Sequence, residues 1–216
     1  MYKGHPVGSI TDLSVFSFHP VKHITTGEGG MITTNDGTMA QRMRIFRNHG
    51  ITTDHHQREQ MGSWFYEMVD IGFNYRLTDF QCALGMSQLK RLSERVRRRQ
   101  DIAKQYDNAF KTNQAVNPLQ RKEDILHAYH LYVVRLSPDH DRSAIFGKLR
   151  DLGIGVNVHY IPVHLHPYYR NRFHTHRGMC PVAEKVYEHI ISLPMFPGMS
   201  DTDVATVIET VKKATT

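Results

Sequence analysis

From Thr78 onward, apolar positions fall at Leu89, Leu92, Val96, Ala103, Tyr106 and Phe110, at spacings of 3, 4, 7, 3 and 4 residues. A helix with 3.6 residues per turn brings such positions onto one face, so the spacing predicts a long amphipathic helix. Thr78-Asp79-Phe80-Gln81 marks its start as a capping box, with Gly85 as the place for a bend and Asn117-Pro118 beyond its end. Before it, residues 15–18 and 30–34 are short apolar or β-branched runs bounded by Gly, Asp and Asn, and both read as strands. Residues 37–49 read as a short helix with Met39, Met43 and Phe46 at helical spacing, and residues 51–64, without periodicity, read as a loop. Past Pro118 the pattern predicts strands at 130–136, 155–160 and 190–193 and helices at 143–152, 180–189 and 201–214. That alternation describes a small α+β domain over 117–216, behind a first domain over 1–116 that carries the long helix.

Composition narrows the function classes. With 40% hydrophobic and 22% charged residues, the chain has the makeup of a globular protein with a real core. It contains no run of 18 apolar residues and its first residues lack a signal-peptide apolar region, so the expectation is a cytoplasmic protein without a membrane partner. Two cysteines, Cys82 and Cys180, make no disulfide framework and fit a reducing compartment. The formal charge is +6, yet the basic residues are spread out; the single dense run, RVRRR at 95–99, reads as a solvated helix face, and no nucleic-acid motif accompanies it. A positive balance also suits a protein that handles phosphates. His159, His164, His166, His174 and His176 crowd together, but their spacing matches no zinc pattern and no metal is expected.

One cation stands apart. Lys22 lies between the apolar run at 15–18 and a turn rich in glycine (Gly27, Gly29, Gly30), with Ser17 five residues before it. A lysine attacks carbonyls once it loses its proton, and partial desolvation beside Phe16 and Phe18 would favour the neutral amine. On spacing alone, a lysine after a strand is usually a surface residue rather than a catalytic one. The glycines form no phosphate-binding fingerprint and read as a tight turn between strands.

The segment SFHPVKHITTGEGGM at 17–31 resembles the active-site segment of the DegT/DnrJ/StrS family of sugar aminotransferases. The resemblance continues through Arg47-Asn48-His49-Gly50, Gly72-Phe73-Asn74-Tyr75-Arg76-Leu77, Gln81, Ala83-Leu84-Gly85 and Ser192-Leu193-Pro194-Met195. It implies the C-terminal part of a fold type I transferase: a partial large α/β domain, a long helix and a small α+β domain. It further implies pyridoxal 5′-phosphate (PLP) as cofactor, anchored covalently by Lys22, which also shuttles the proton. Ser17 is matched to a hydroxyl on the cofactor phosphate, and Asn74 to an asparagine reaching that phosphate from a neighbouring subunit, hence a homodimer. Asn157, Val158, His159 and Tyr160 are matched to a segment that contacts the nucleotide-sugar. The implied substrates are a nucleotide-linked 4-keto-6-deoxy sugar, closest to the UDP-linked N-acetylhexosamines of the pseudaminic acid type, and L-glutamate as amino donor. The family's carboxylate for the pyridine nitrogen lies before the lysine; here the only earlier carboxylate is Asp12, which is too close to serve. A catalytically incomplete chain that dimerises or complements another is therefore the alternative expectation.

Overall fold

The computed structural model describes residues 1–216 and divides into two compact units. The first comprises Met1–Leu92 with Asp124–Leu126, the second Ser93–Glu123 with His127–Thr216.

In the first unit, β1 (Ser14–Ser17) and β2 (Gly30–Thr33) form a two-stranded antiparallel sheet with Val15 opposite Ile32 and Ser17 opposite Gly30. Helix α1 (Gly37–Phe46) begins at Asp36, whose carboxylate accepts from the Met39 amide at 3.0 Å. Within the stretch expected to be a loop, α2 (His55–Gln60) forms behind a reciprocal capping box of Asp54 and Gln57. Thr78 and Gln81 form the predicted box at the head of α3 (Asp79–Leu89). The single long helix expected here is in fact two: α3 ends at Leu89 and α4 runs from Leu92 to Phe110. No hydrophobic side chain of this unit is buried; Val15 is 78% exposed and Phe80 90%.

The second unit holds the core. Its sheet runs β3–β4–β5, all antiparallel, from β3 (Val116–Pro118), β4 (Tyr132–Leu136) and β5 (Ile190–Leu193). Around it stand α5 (Arg142–Asp151), α6 (Pro167–Phe173), α7 (Pro181–His189) and α8 (Asp201–Ala214). The apolar face of α4, with Ile102, Ala103, Tyr106 and Phe110, joins Val134, Ile191, Leu193, Val204 and Val211 in one buried cluster. Packing therefore assigns nearly all of α4 to this unit and divides the chain near Leu92, whereas the change of texture at Asn117-Pro118 suggested 116/117. Tyr106 donates from its hydroxyl to the Pro194 carbonyl at 2.9 Å, and burial pushes that phenol's pKa up.

The basic run on α4 is not uniformly solvated. Arg99 is 5% exposed, and its Nη1 lies within reach of the carbonyls of Tyr129 (2.9 Å), His130 (3.3 Å) and Met195 (2.7 Å). Burial first, and the neighbouring Arg95 second, lower its pKa. Residues 155–160 also differ from expectation. Only Asn157 joins a ladder, exchanging two hydrogen bonds with Ser192 (3.2 and 2.7 Å), so the segment pairs with the sheet at a single residue and is not a strand. No helix is long and apolar enough to cross a membrane.

This asymmetry of burial has a direct consequence. Ile102→Ala is expected to cost about 2–5 kcal/mol, as a cavity left by a fully buried side chain, while Val15→Ala stays within about 0.5 kcal/mol. Urea unfolding followed by circular dichroism separates the two.

Candidate active site

Lys22 sits half-buried just past β1, its amide donating to the His19 carbonyl at 3.0 Å. Phe16 and Phe18 are half-buried beside it in sequence, while Ser17 is exposed and accepts from the His19 amide at 3.3 Å. The turn is closed by main-chain bonds: Phe18 donates to Gly29 (2.9 Å) and Thr26 donates to Phe18 (3.1 Å). Thr25 Oγ1 adds a bond to the Phe18 carbonyl at 2.9 Å, and Thr26, the buried residue of the turn, bonds the Glu28 carbonyl at 2.7 Å.

Helix α3 clamps this turn from one face. Gln81 donates from Nε2 to the Glu28 carbonyl at 2.9 Å, and Gln88 accepts from the Thr25 amide at 3.2 Å through Oε1. Seven residues separate the two glutamines, two helical turns, so they share a face with Gly85 between them. A Cβ at Gly85 would sit 2.9 Å from the Thr26 methyl group, closer than carbon atoms pack, so glycine lets the turn approach. Gln81 works twice, since its Oε1 also accepts from the Thr78 amide at 2.9 Å in the capping box. The clamp is a positioning feature that the spacing of Gln81 and Gln88 could have revealed.

The blocks at 47–50 and 72–77 lie against each other. Phe73 donates to the Phe46 carbonyl (2.7 Å), His49 to Phe73 (3.0 Å) and Tyr75 to Arg47 (3.0 Å). Arg76 Nη1 donates to Asn48 Oδ1 at 2.7 Å. A Cβ at Gly72 would collide with the Gly50 amide nitrogen, so this crossing admits no side chain there. Asn74 is exposed and pairs with Asn48 across an isolated bridge. Thus Lys22 and Ser17 share one hairpin, and Asn74 stands on a second motif of the same unit.

Asn157, Val158, His159 and Tyr160 belong to the second unit. The Asn157 side chain turns back to accept from the Val158 amide at 2.8 Å, and His159 Nδ1 lies 2.8 Å from the buried Ser192 hydroxyl. Tyr160 is 67% exposed. Further along, Glu184 is buried and gathers bonds from His164 Nε2 (2.8 Å) and from the amides of Gly178 (2.8 and 2.9 Å) and Cys180 (3.2 Å). The Gly178 amide, then His164, hold this carboxyl below its ordinary pKa. A carboxylate only accepts, so His164 Nε2 carries the hydrogen. No group of three or more His, Cys, Asp or Glu side chains is assembled as a metal site, and Cys82 and Cys180 are free and exposed.

Two outcomes follow. Gln81→Glu keeps an acceptor for the Thr78 amide but loses the donor to Glu28, so the helix cap should survive while the Phe18 and Thr26 amides exchange faster by hydrogen exchange. For Glu184 the folded-state pKa is depressed, so its contribution is present above the unfolded value, about 4.3, and is lost as pH falls through the lower folded one. Protection of the Gly178 and Cys180 amides should therefore fall on acidification in that range, and should already be weak at neutral pH in Glu184→Gln.

The family model of the DegT/DnrJ/EryC1/StrS aminotransferase family matches residues 1–212. The Bacillus subtilis spore coat polysaccharide biosynthesis protein SpsC is 40% identical over 216 residues, covering 98% of this chain and 56% of that protein. A Campylobacter jejuni UDP-4-amino-4,6-dideoxy-N-acetyl-beta-L-altrosamine transaminase is 35% identical over 212 residues, covering 97% and 54%. The chain thus spans about half the length of the curated relatives it matches. Among solved structures, a Streptococcus pneumoniae sugar aminotransferase in its PMP form superposes with a TM-score of 0.90 at 35% identity, over 99% of this chain and 55% of that one. The same protein in its PLP form gives a TM-score of 0.89. The mixed α/β architecture is therefore part of the fold type I transferase fold, and the chain belongs to the DegT/DnrJ/EryC1/StrS aminotransferase family.

Proposed function

We propose that this chain carries the reactive lysine of a PLP-dependent aminotransferase that places an amino group on C4 of a UDP-linked 4-keto-6-deoxy sugar, with L-glutamate as donor. The observation that carries the reading is Lys22 itself: a half-buried lysine on a turn fixed by its own main-chain bonds and by two glutamines of α3. The donor set fits two ends of the cofactor. The Lys22 amine suits the aldehyde carbon, and the Ser17 hydroxyl and Asn74 amide, both exposed, suit the phosphate. Asp12 is exposed in the bend before β1 and is no part of this set.

When bound, PLP supplies a carbonyl that amines condense with and a ring that takes up the electron pair left when a proton departs. Lys22 Nζ then acts as base and acid. It would remove the α-proton of the donor amino acid and, in the second half of the cycle, deliver a proton to the sugar's C4. Ser17 Oγ donates to the phosphate and so fixes the ring relative to Lys22. Asn74 does the same for the cofactor of a neighbouring subunit in a homodimer. Asn157, Val158, His159 and Tyr160 meet the nucleotide-sugar, with His159 oriented by the Ser192 hydroxyl. The UDP-linked substrate is supported by the name of the Campylobacter relative, and the cofactor by the PLP and PMP forms of the Streptococcus structure.

A second reading has one observation in its favour. Every hydrophobic side chain of the first unit is at least partly exposed, which suits a chain that completes its site only with further polypeptide laid against that unit. In that reading Lys22 keeps its role within the larger assembly.

Incubation with PLP should give a visible absorption band that Lys22→Ala removes. Release of 2-oxoglutarate from L-glutamate and the UDP-4-keto sugar should fall by about 10²–10⁴-fold or more in that variant. A band and an activity unchanged in Lys22→Ala would overturn the proposal.

A further inference from the structure

Between Asp151 and Glu184 the chain contains no carboxylate. The same stretch holds Arg170, Arg172 and Arg177, five histidines, and the aromatic residues Tyr160, Tyr168, Tyr169 and Phe173. Arg177 is neutralised by Glu188 at 2.6 Å, whereas Arg170 and Arg172 are exposed on α6 without an acidic partner. Helix α6 also exposes three rings that touch one another: Tyr168 meets Tyr169 at 5.4 Å and Phe173 at 6.2 Å, both edge to face, and Tyr169 meets Phe173 at 5.9 Å. Tyr168 is 66% exposed and Phe173 57%. An aromatic cluster left in water on the same helix as two guanidinium groups without an acidic partner is a surface suited to a planar ring joined to an anion.

The arm that carries this surface is anchored at both ends. His164, at its start, and Gly178 and Cys180, at its finish, converge on the one carboxylate of Glu184. Thr175 Oγ1 closes it further by donating to the His164 carbonyl at 2.7 Å. The acid nearest the arm is thereby spent on internal hydrogen bonds, and the outward surface keeps its positive sign.

We propose that α6 is the recognition arm for the nucleoside diphosphate end of the substrate. The ring cluster at Tyr168 and Phe173 stacks the base, and the guanidinium charges of Arg170 and Arg172, which project to either side of the helix, attract the diphosphate. This rests on the nucleotide-sugar reading above and adds the element that reads the nucleotide. Glu184 is a positioning residue, acting through His164 and the loop amides without touching the ligand.

Calorimetric titration of the 216-residue chain with uridine diphosphate and with inorganic pyrophosphate tests it. Tyr168→Ala should weaken uridine diphosphate about tenfold and leave pyrophosphate unchanged. The double variant Arg170→Gln, Arg172→Gln should weaken both. These residues are exposed, so circular dichroism of each variant should match the parent chain. No uridine diphosphate binding by the chain, or affinity unchanged in both variants, would overturn the proposal. So would a shift from dimer to monomer in Tyr168→Ala at unchanged affinity, which would assign the face to a second copy of the chain. PLP takes no part in this titration. A failure here with Lys22 still capturing the cofactor removes only this inference, and the converse result removes only the Lys22 reading.

Discussion

One buried guanidinium holds the second unit in register. Burying a cation without a carboxylate is costly unless its hydrogens find acceptors. Arg99 meets that requirement only through Nη1, which faces carbonyls from residues 129 and 130, just before β4, and from residue 195, just after β5, while its buried Nε has no acceptor. One side chain of α4 therefore fixes the entry to one strand and the exit from its neighbour. Tyr106, two turns further along the helix, adds the Pro194 carbonyl, while Ile102, Ala103 and Phe110 supply the apolar contact beneath. With β5 so placed, Ser192 presents its main chain to Asn157 and its hydroxyl to His159, and the segment matched to substrate contact inherits its position from the core.

The first unit is built on another principle. It has no buried apolar side chain, and a two-stranded sheet alone is marginal in water. Its order comes from directed hydrogen bonds: glutamines of α3 on the turn after β1, and the crossing of Gly50 with Gly72. Such contacts fix geometry well and contribute modestly to stability, about 0.5–1.5 kcal/mol each. The reactive amine thus stands on a precisely stitched but thinly insulated element.

Elements with strong local signals were legible in the sequence. Helix α8 has the predicted bounds, because Ser200 and Asp203 form a capping box before a run of valines at helical spacing. The head of α3 was legible for the same reason. Helix α2 carries an equally good box, Asp54 with Gln57, yet it lacks an apolar stripe and reads as loop. The break at Lys90-Arg91 leaves no local trace, since both residues favour helix; it reflects α3 and α4 packing into different units. Val156 and Val158 alternate as in a strand, but only Asn157 finds a ladder partner. At the site, Lys22, Ser17, Asn74 and residues 157–160 came from resemblance, and spacing alone did not separate them from surface positions. The Arg99 clamp and the Glu184 cluster escaped notice because their partners are main-chain groups far away in sequence.

The reactivity of Lys22 is the claim on which the functional reading turns, and chemical trapping reaches it without a sugar substrate. Borohydride reduction after incubation with PLP, followed by peptide mass mapping, should place a phosphopyridoxyl group on the peptide containing Lys22, and the Lys22→Ala protein should carry none. Label spread evenly over other lysines, or label unchanged in Lys22→Ala, would contradict it.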